Sequence, residues 1–307
     1  MRQLRKSLLT LSLIAILTLG MLAGCGGDDG GGDAGSGGTD EPAAGFDAAK
    51  AIEVISREDG SGTRTAFIEL FGVEVKDDAG NKSDMTTDEA VIAKATDVMM
   101  TNVTNNPYAI GYISLGSLND SVKALEIDGA AASAENVKNG SYGISRPFNI
   151  VTKGEAAGLA KDFIAFILSA EGQQVVADGY IAIDDAAAAY AGDKPAGKIT
   201  VAGSSSVTPI MEKLREAYLA INTGAEIEIQ MSDSSAGITG TIDGTCDIGM
   251  ASRDLKDEEA TQVGATQIAL DGIAVIVNKE NPLTGLAKDQ VRMVYTGEAT
   301  AWGDISA

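Results

Sequence analysis

Along residues 50–307 the apolar positions switch repeatedly between a period of two and a period near 3.6, with Gly- and Ser-rich breaks at the switches. Residues 51–56 (AIEVIS) are apolar and β-branched and predict a strand; EDGSGT follows as a loop, and 63–71 (TRTAFIELF) have a helical rhythm. Strands are predicted at 109–115 (AIGYISL) and, after Pro147, at FNIVT, followed by a helix with Leu159, Phe163, Phe166 and Ile167 on one face. Residues 198–203 (KITVAG) predict a strand and GSSSVTP a loop. Residues 210–221 predict a helix with Ile210, Leu214, Ala217, Tyr218 and Ile221 in one stripe. Residues 225–231 (AEIEIQM) alternate as a strand, DSSAGITGTIDG opens a short helix, and 246–252 and 271–278 are further strands. The Ala/Gly/Asp-rich stretch 184–197 is unlike its flanks and reads as a connector. Strands alternating with helices predict an α/β protein with helix-covered sheets.

The first residues follow a different rule. Arg2, Arg5 and Lys6 precede an apolar run from Leu8 to Leu22, too short for a comfortable membrane span and suited to a signal-peptide core. Leu22-Ala23-Gly24-Cys25 resembles the bacterial lipoprotein signal, so residues 1–24 are expected to be removed and Cys25 lipidated, which tethers the protein to the outer face of the cell membrane. Residues 25–48 carry Gly and Asp with almost no large apolar side chain. They cannot offset their chain entropy by burial and read as a disordered tether.

Composition then narrows the chemistry. The 23 Lys+Arg against 44 Asp+Glu give a formal charge of −21, and loss of the leader would make it three units more negative. Nucleic acid needs a basic surface and is excluded as a partner. The chain has no His, which removes Ser-His-Asp triads, Cys-His dyads and His-ligated metal sites together. Two Cys, at 25 and 246, are too few and too far apart for a zinc site, and lipidation of Cys25 leaves Cys246 without a disulfide partner. No cofactor or metal is expected.

What remains is a set of Ser/Gly loops, each after a strand and at the start of a predicted helix: Gly203-Ser204-Ser205-Ser206, Ser234-Ser235-Ala236-Gly237 and Gly60-Ser61-Gly62-Thr63. Such loops present free N–H groups, hydroxyls and the positive end of a helix dipole. Singly, each is most simply an N-cap. Three converging would hold a small oxyanion. Arg57 in Ser56-Arg57-Glu58-Asp59 is the natural charge partner for a tetrahedral anion, and Arg253 in Ala251-Ser252-Arg253-Asp254 is a second candidate. Because the net charge repels anions at long range, the grip must come from short, dehydrated hydrogen bonds.

The segments around these loops resemble the substrate-binding lipoproteins of phosphate ABC transporters, the PstS family. Residues 56–67 (SREDGSGTRTAF) resemble that family's phosphate-binding signature and 199–209 (ITVAGSSSVTP) its opening strand and loop. Ser234 to Ile238, Asp247 to Arg253, Asp271 to Val275, Tyr295-Thr296-Gly297 with Trp302, Ala109 to Ser114 and Ser145 to Phe148 resemble further family segments. The resemblance implies a two-lobe periplasmic-binding-protein fold of type II with a two-strand hinge. It places residues 48–147 plus 277–307 in one lobe and 148–276, with the connector, in the other. It implies a monomer that binds inorganic phosphate between the lobes and delivers it to an ABC transporter permease. By position it implicates Ser205, Ser206, Ser234, Ser252, Arg57, Ser61, Gly62 and Thr63 at the phosphate, with Gly60, Ser204 and Arg253 in support and Asp59 orienting Arg57.

Two features depart from the family. The segments stand in the wrong order, with the family's second half first, which reads as a circular permutation joined through 184–197; a truncated tandem protein is the rival account. Ser252 also stands where some members place an Asp that accepts the phosphate proton, which leaves sulfate, molybdate or tungstate as rival ligands. A surface lipoprotein without a transport role is a further reading. An esterase or phosphatase would need a base that this chain does not display: it has no Gly-x-Ser-x-Gly elbow and no His.

Overall fold

The computed structural model describes residues 45–305. Leader, Cys25 and nearly all of the tether therefore lie outside the described residues. Among the described residues no helix is long and apolar enough to cross a membrane. Packing begins at Phe46, within the stretch that composition assigned to the tether: its ring lies 5.1 Å from that of Tyr108 and 5.9 Å from that of Trp302.

The strands form one continuous path in the order Ala225–Ser232, Gly197–Ser204, Ile248–Ala251, Ser145–Thr152, Gly264–Val277, Ala109–Ser114, Glu53–Arg57, Val91–Ala93. Two large apolar cores flank it, with a small third cluster at Val151, Ile238, Ala251 and Val263. One gathers Phe67, Met99, Tyr112, Val275, Tyr295 and Trp302. The other gathers Phe148, Phe163, Ile210, Leu214, Tyr218 and Ile248. The 14-residue strand Gly264–Val277 belongs to both: Gly264 to Gly272 pair antiparallel with Thr152 to Ser145, and Ile273 to Val277 pair antiparallel with Ser114 to Ile110. This is the two-lobe architecture, and its bridging strand is nearly twice the length expected from 271–278. Its first half alternates weakly (GATQIAL), so the apolar pattern flagged only the half buried on both faces.

The helices form where the 3.6 period was read. Thr208–Ile221 has Ile210, Met211, Leu214 and Tyr218 buried, with Pro209 in its first turn, where a missing N–H is harmless. Ile221, expected on the same stripe, is 41% exposed, because the stripe drifts off the contact face in the last turn. Helices Thr96–Asn105, Ala170–Ala177 and Lys288–Tyr295 and the hairpin Glu74–Lys76 with Lys82–Asp84 were not anticipated: the helices are 8–10 residues long with few buried positions each, and Thr96–Asn105 is rich in Thr and Asn.

The connector carries no strand or helix until Gly197 opens its strand, yet it is tied to the second core. The N–H of Asp193 donates to Asp162 Oδ1 (2.8 Å), and the Tyr190 and Tyr218 hydroxyls both donate to Asp162 Oδ2, the latter at 2.6 Å. Burial alone would raise the Asp162 carboxyl. These hydrogen bonds outweigh it and hold the group below its ordinary value of 3.8. A depressed folded-state value stabilises the fold above the unfolded value and loses that contribution as pH falls through the folded one. Asp162→Asn should therefore lower the melting temperature at pH 7 and flatten its fall between about pH 5 and pH 2, measured by thermal melts across that range.

Candidate functional site

Arg57 ends a strand whose last four residues are buried, so its guanidinium leaves the sheet within protein rather than in water; the residue is 2% exposed. Its N–H donates to the Tyr112 hydroxyl (3.0 Å), which also meets Ser56 Oγ (2.9 Å), and Tyr112 is stacked on Phe67 at 3.9 Å. Burial pushes that hydroxyl up to about 12, so it stays protonated as a fixed strut. Nε and Nη2 donate to the two carboxylate oxygens of Glu58 (2.9 and 2.8 Å), Nε also to the Ala93 carbonyl (3.1 Å), and Nη2 to Ser205 Oγ (3.0 Å). The orienting carboxylate is thus Glu58, which corrects the expectation for Asp59. The turn closed by Ser61 N–H on the Glu58 carbonyl (3.0 Å) puts Asp59 at its tip. There its side chain is 97% exposed and pairs with Arg64 at 2.7 Å.

After that turn Ser61 caps the helix Gly62–Phe71, its Oγ accepting from Arg64 N–H (3.3 Å). The first helical N–H groups, at Gly62 and Thr63, have no partner inside the helix and carry its positive end. Thr63 Oγ1 reaches Ser206 Oγ at 2.8 Å. Gly62 is required by space: a Cβ there would run into Ser234 Oγ and lie 2.7 Å from Ser252 Oγ and 3.0 Å from the Ser252 backbone carbon. At Gly60 a Cβ would strike the Asp233 carboxylate.

Facing these groups, strand Gly197–Ser204 delivers Ser204, Ser205 and Ser206 into the turn before Thr208, all buried. Asp233, not Ser234, caps the helix Ser234–Asp243, its carboxylate accepting from Ala236 N–H (2.8 Å). The Ser234 hydroxyl is thereby freed; it accepts from Ser252 N–H (3.1 Å) and lies 3.3 Å from Ser252 Oγ. Ser204 Oγ donates to Ser252 Oγ at 3.0 Å. The proposed set is thus brought together across the two cores, by Arg57 to Ser205, Thr63 to Ser206, and Ser235 N–H to the Gly60 carbonyl (3.2 Å).

Arg253 is the exception. It is buried but directed away from the cluster, donating to both Glu259 oxygens (2.7 and 2.8 Å), the Asp254 carbonyl and Ser235 Oγ. Burial would raise the Glu259 carboxyl, but the Arg253 hydrogen bonds and charge hold it below its ordinary value. Arg253 clamps the loop after Ser252 and adds no second positive charge to the anion site. One member was missed: Thr96, first residue of helix Thr96–Asn105, lies 3.2 Å from Ser206 Oγ and 3.4 Å from Ser205 Oγ. The strand before it has three residues, two of them exposed, so the strand–loop–helix pattern that marked the other loops is absent from its sequence.

Hydroxyls, free helix-start amides and one buried guanidinium, drawn from distant segments, form a donor-rich cluster matched to a small oxyanion. Comparisons agree. The chain matches the PBP superfamily domain over residues 38–171 and 188–307. It is 51% identical over 304 residues, 98% of each chain, to the phosphate-binding protein PstS 2 of Streptococcus agalactiae. The chain belongs to the PstS family of the PBP superfamily. A crystal structure of a phosphate-binding protein of a phosphate ABC transporter from Streptococcus pneumoniae is 47% identical, with a TM-score of 0.67, covering 84% of this chain and 100% of that one. The PstS of Staphylococcus haemolyticus is 38% identical over only 113 residues, 34% of this chain and 36% of its own. Within the family framework, the Ser252 hydroxyl lies beside Ser204 Oγ and Ser234 Oγ, and Glu58 in the facing loop is engaged by Arg57.

Proposed function

We infer that this PstS-family chain binds inorganic phosphate between its two lobes as the extracytoplasmic substrate-binding component of a phosphate ABC transporter. The observation that carries it is the single cluster formed by Arg57, Thr63, Ser205, Ser206, Ser234 and Ser252 from both lobes. The relatives' names and the crystal structure of a phosphate transporter's binding protein support the same ligand. Thr96 joins the set as a further hydroxyl. Lipidation at Cys25 would anchor the protein, as a monomer, at the outer face of the membrane within reach of a permease. Binding without catalysis is the reading, because among the described residues the site hydroxyls Ser205, Ser206, Ser234 and Thr63 pair with other hydroxyls and with Arg57 rather than with a carboxylate.

We also read the segment order as a circular permutation. A relative of the same length matches from end to end, while another PstS matches over about a third of its length, as expected where halves are exchanged. Connector 184–197, packed through Tyr190, would be the join.

Calorimetric titration of the purified protein with phosphate, and then with phosphate against excess sulfate, tests the ligand. Saturable phosphate binding that survives sulfate is expected. Equal affinity for sulfate would replace phosphate by a general oxyanion ligand, a result that Ser252 in place of a proton-accepting carboxylate makes the informative alternative.

A further inference from the structure

Strands Ser145–Thr152 and Gly264–Val277 are the antiparallel pair that joins the two lobes, and their register sets Arg146 directly opposite Asp271. One further rung, Gly272 opposite Ser145, completes this ladder, and at Ile273 the long strand changes partner to Ser114. Arg146 and Asp271 are 3% and 1% exposed. Arg146 Nε and Nη2 donate to Asp271 Oδ2 (3.4 and 3.3 Å), Nη1 donates to the Ser252 carbonyl (3.2 Å), and the guanidinium lies 5.2 Å from the Phe148 ring centre. Asp271 Oδ1 accepts from Ser114 Oγ (2.8 Å) and from Gly116 N–H (3.4 Å).

The pair is thus the middle of a chain. Ser114 and Gly116 of one lobe hold Asp271; Asp271 holds Arg146; Arg146 holds the carbonyl of Ser252, whose own N–H donates to Ser234 Oγ in the anion site. Arg146 meets the cluster only at the Ser252 backbone carbonyl, and Asp271 meets it only through Arg146. Desolvation pushes the Asp271 carboxyl up to about 6 and brings Arg146 down to about 10 despite their mutual attraction. A buried ion pair of this kind contributes little net stability, since an apolar pair of similar volume would commonly do as well or better. Its place one rung before the end of the inter-lobe ladder, where the strand changes lobe, calls for another role.

We propose that Arg146 and Asp271 are a positioning pair of the hinge, which ties the angle between the two crossing strands to the placement of Ser252 and Ser234 and thereby sets how long phosphate is held. The phosphate half of this statement rests on the function inferred above; the hinge half does not.

The test is the double exchange Arg146→Met with Asp271→Leu, which removes both charges at similar volume, made in the full chain. Three quantities are read: melting temperature, phosphate release rate by stopped flow, and deuterium exchange at the Ser252 amide without ligand. The expected result is a melting temperature at or above that of the parent, Ser252 exchange faster by about tenfold, and phosphate release faster by about the same factor, the scale of one hydrogen bond. Arg146→Lys keeps the charge beside Asp271 but lacks the planar fork needed to reach the Ser252 carbonyl as well, and should show the same faster exchange. It keeps the question decidable if the double variant folds poorly. Parent-like Ser252 exchange in a folded variant overturns the proposal. Absence of phosphate binding by the parent chain would instead overturn the ligand, with the exchange measurement still deciding the hinge.

Discussion

Arg57→Ala should weaken phosphate binding between about a hundredfold and a few thousandfold, the 3–5 kcal/mol expected when one partner of a buried, hydrogen-bonded charge pair is removed. Two effects add. The anion loses its single guanidinium, whose Nη2 already points at Ser205 Oγ across the cleft. Glu58, 18% exposed and held by both Nε and Nη2, is left as an unpaired negative charge beside the site. Calorimetry separates them: Arg57→Ala with Glu58→Gln should recover part of the loss, because the repulsive charge is gone while the missing donor is not. Arg57→Lys should fall between, since an ammonium cannot serve Glu58, the Ala93 carbonyl and Ser205 with one planar fork. Arg57→Ala binding phosphate within a few fold of the parent would show that the anion sits elsewhere.

Gly62→Ala should be comparably damaging by a different route. The added methyl would occupy space taken by Ser234 Oγ and Ser252 Oγ on the opposite lobe, with the Ser252 backbone 3.0 Å away and unable to yield as a side chain could. The lobes would be wedged apart, and the contacts from Arg57 to Ser205 and Thr63 to Ser206 would not form together. A loss of phosphate affinity of about a hundredfold or more is expected, the size of the 1–3 kcal/mol typical of overpacking plus the bonds it breaks. The free protein should keep its melting temperature or gain slightly, because Gly62 is in the first turn of a helix, where Ala is the better helix former by up to about 1 kcal/mol. Loss of binding with an undiminished melting temperature, read by calorimetry and thermal melts, is the signature of blocked closure. Parent-like binding would mean that the lobes need not approach this closely.

Much of the site was legible because its grammar is local. Strand, Ser/Gly loop and helix start are adjacent in sequence, so the loops holding Ser205, Ser234, Gly62 and Thr63 could be marked from 3.6- and 2-residue periods and from the free N–H groups at a helix start, and the family resemblance then singled out these residues. The assignments that failed were those that turned on side-chain direction. Asp59 and Glu58 are neighbours, and only the turn at 58–61 sends one to solvent and the other to Arg57. Arg253 follows Ser252 directly, yet the chain bends after the strand ends at Ala251, and Glu259 holds the guanidinium away from the site. Thr96 was invisible because a three-residue edge strand gives no period to read.

The sequence by itself determined the α/β alternation, the donor types and the family, because those depend on residue chemistry at short separations along the chain. Only the tertiary structure decided which donors meet. Arg57 and Ser205 are 148 residues apart and Arg146 and Asp271 are 125 apart, so their contacts are set by sheet register and by one long strand shared between two cores. A register is a property of paired strands. It exists only once both strands have folded, and it carries the cross-lobe grip and the hinge beneath it.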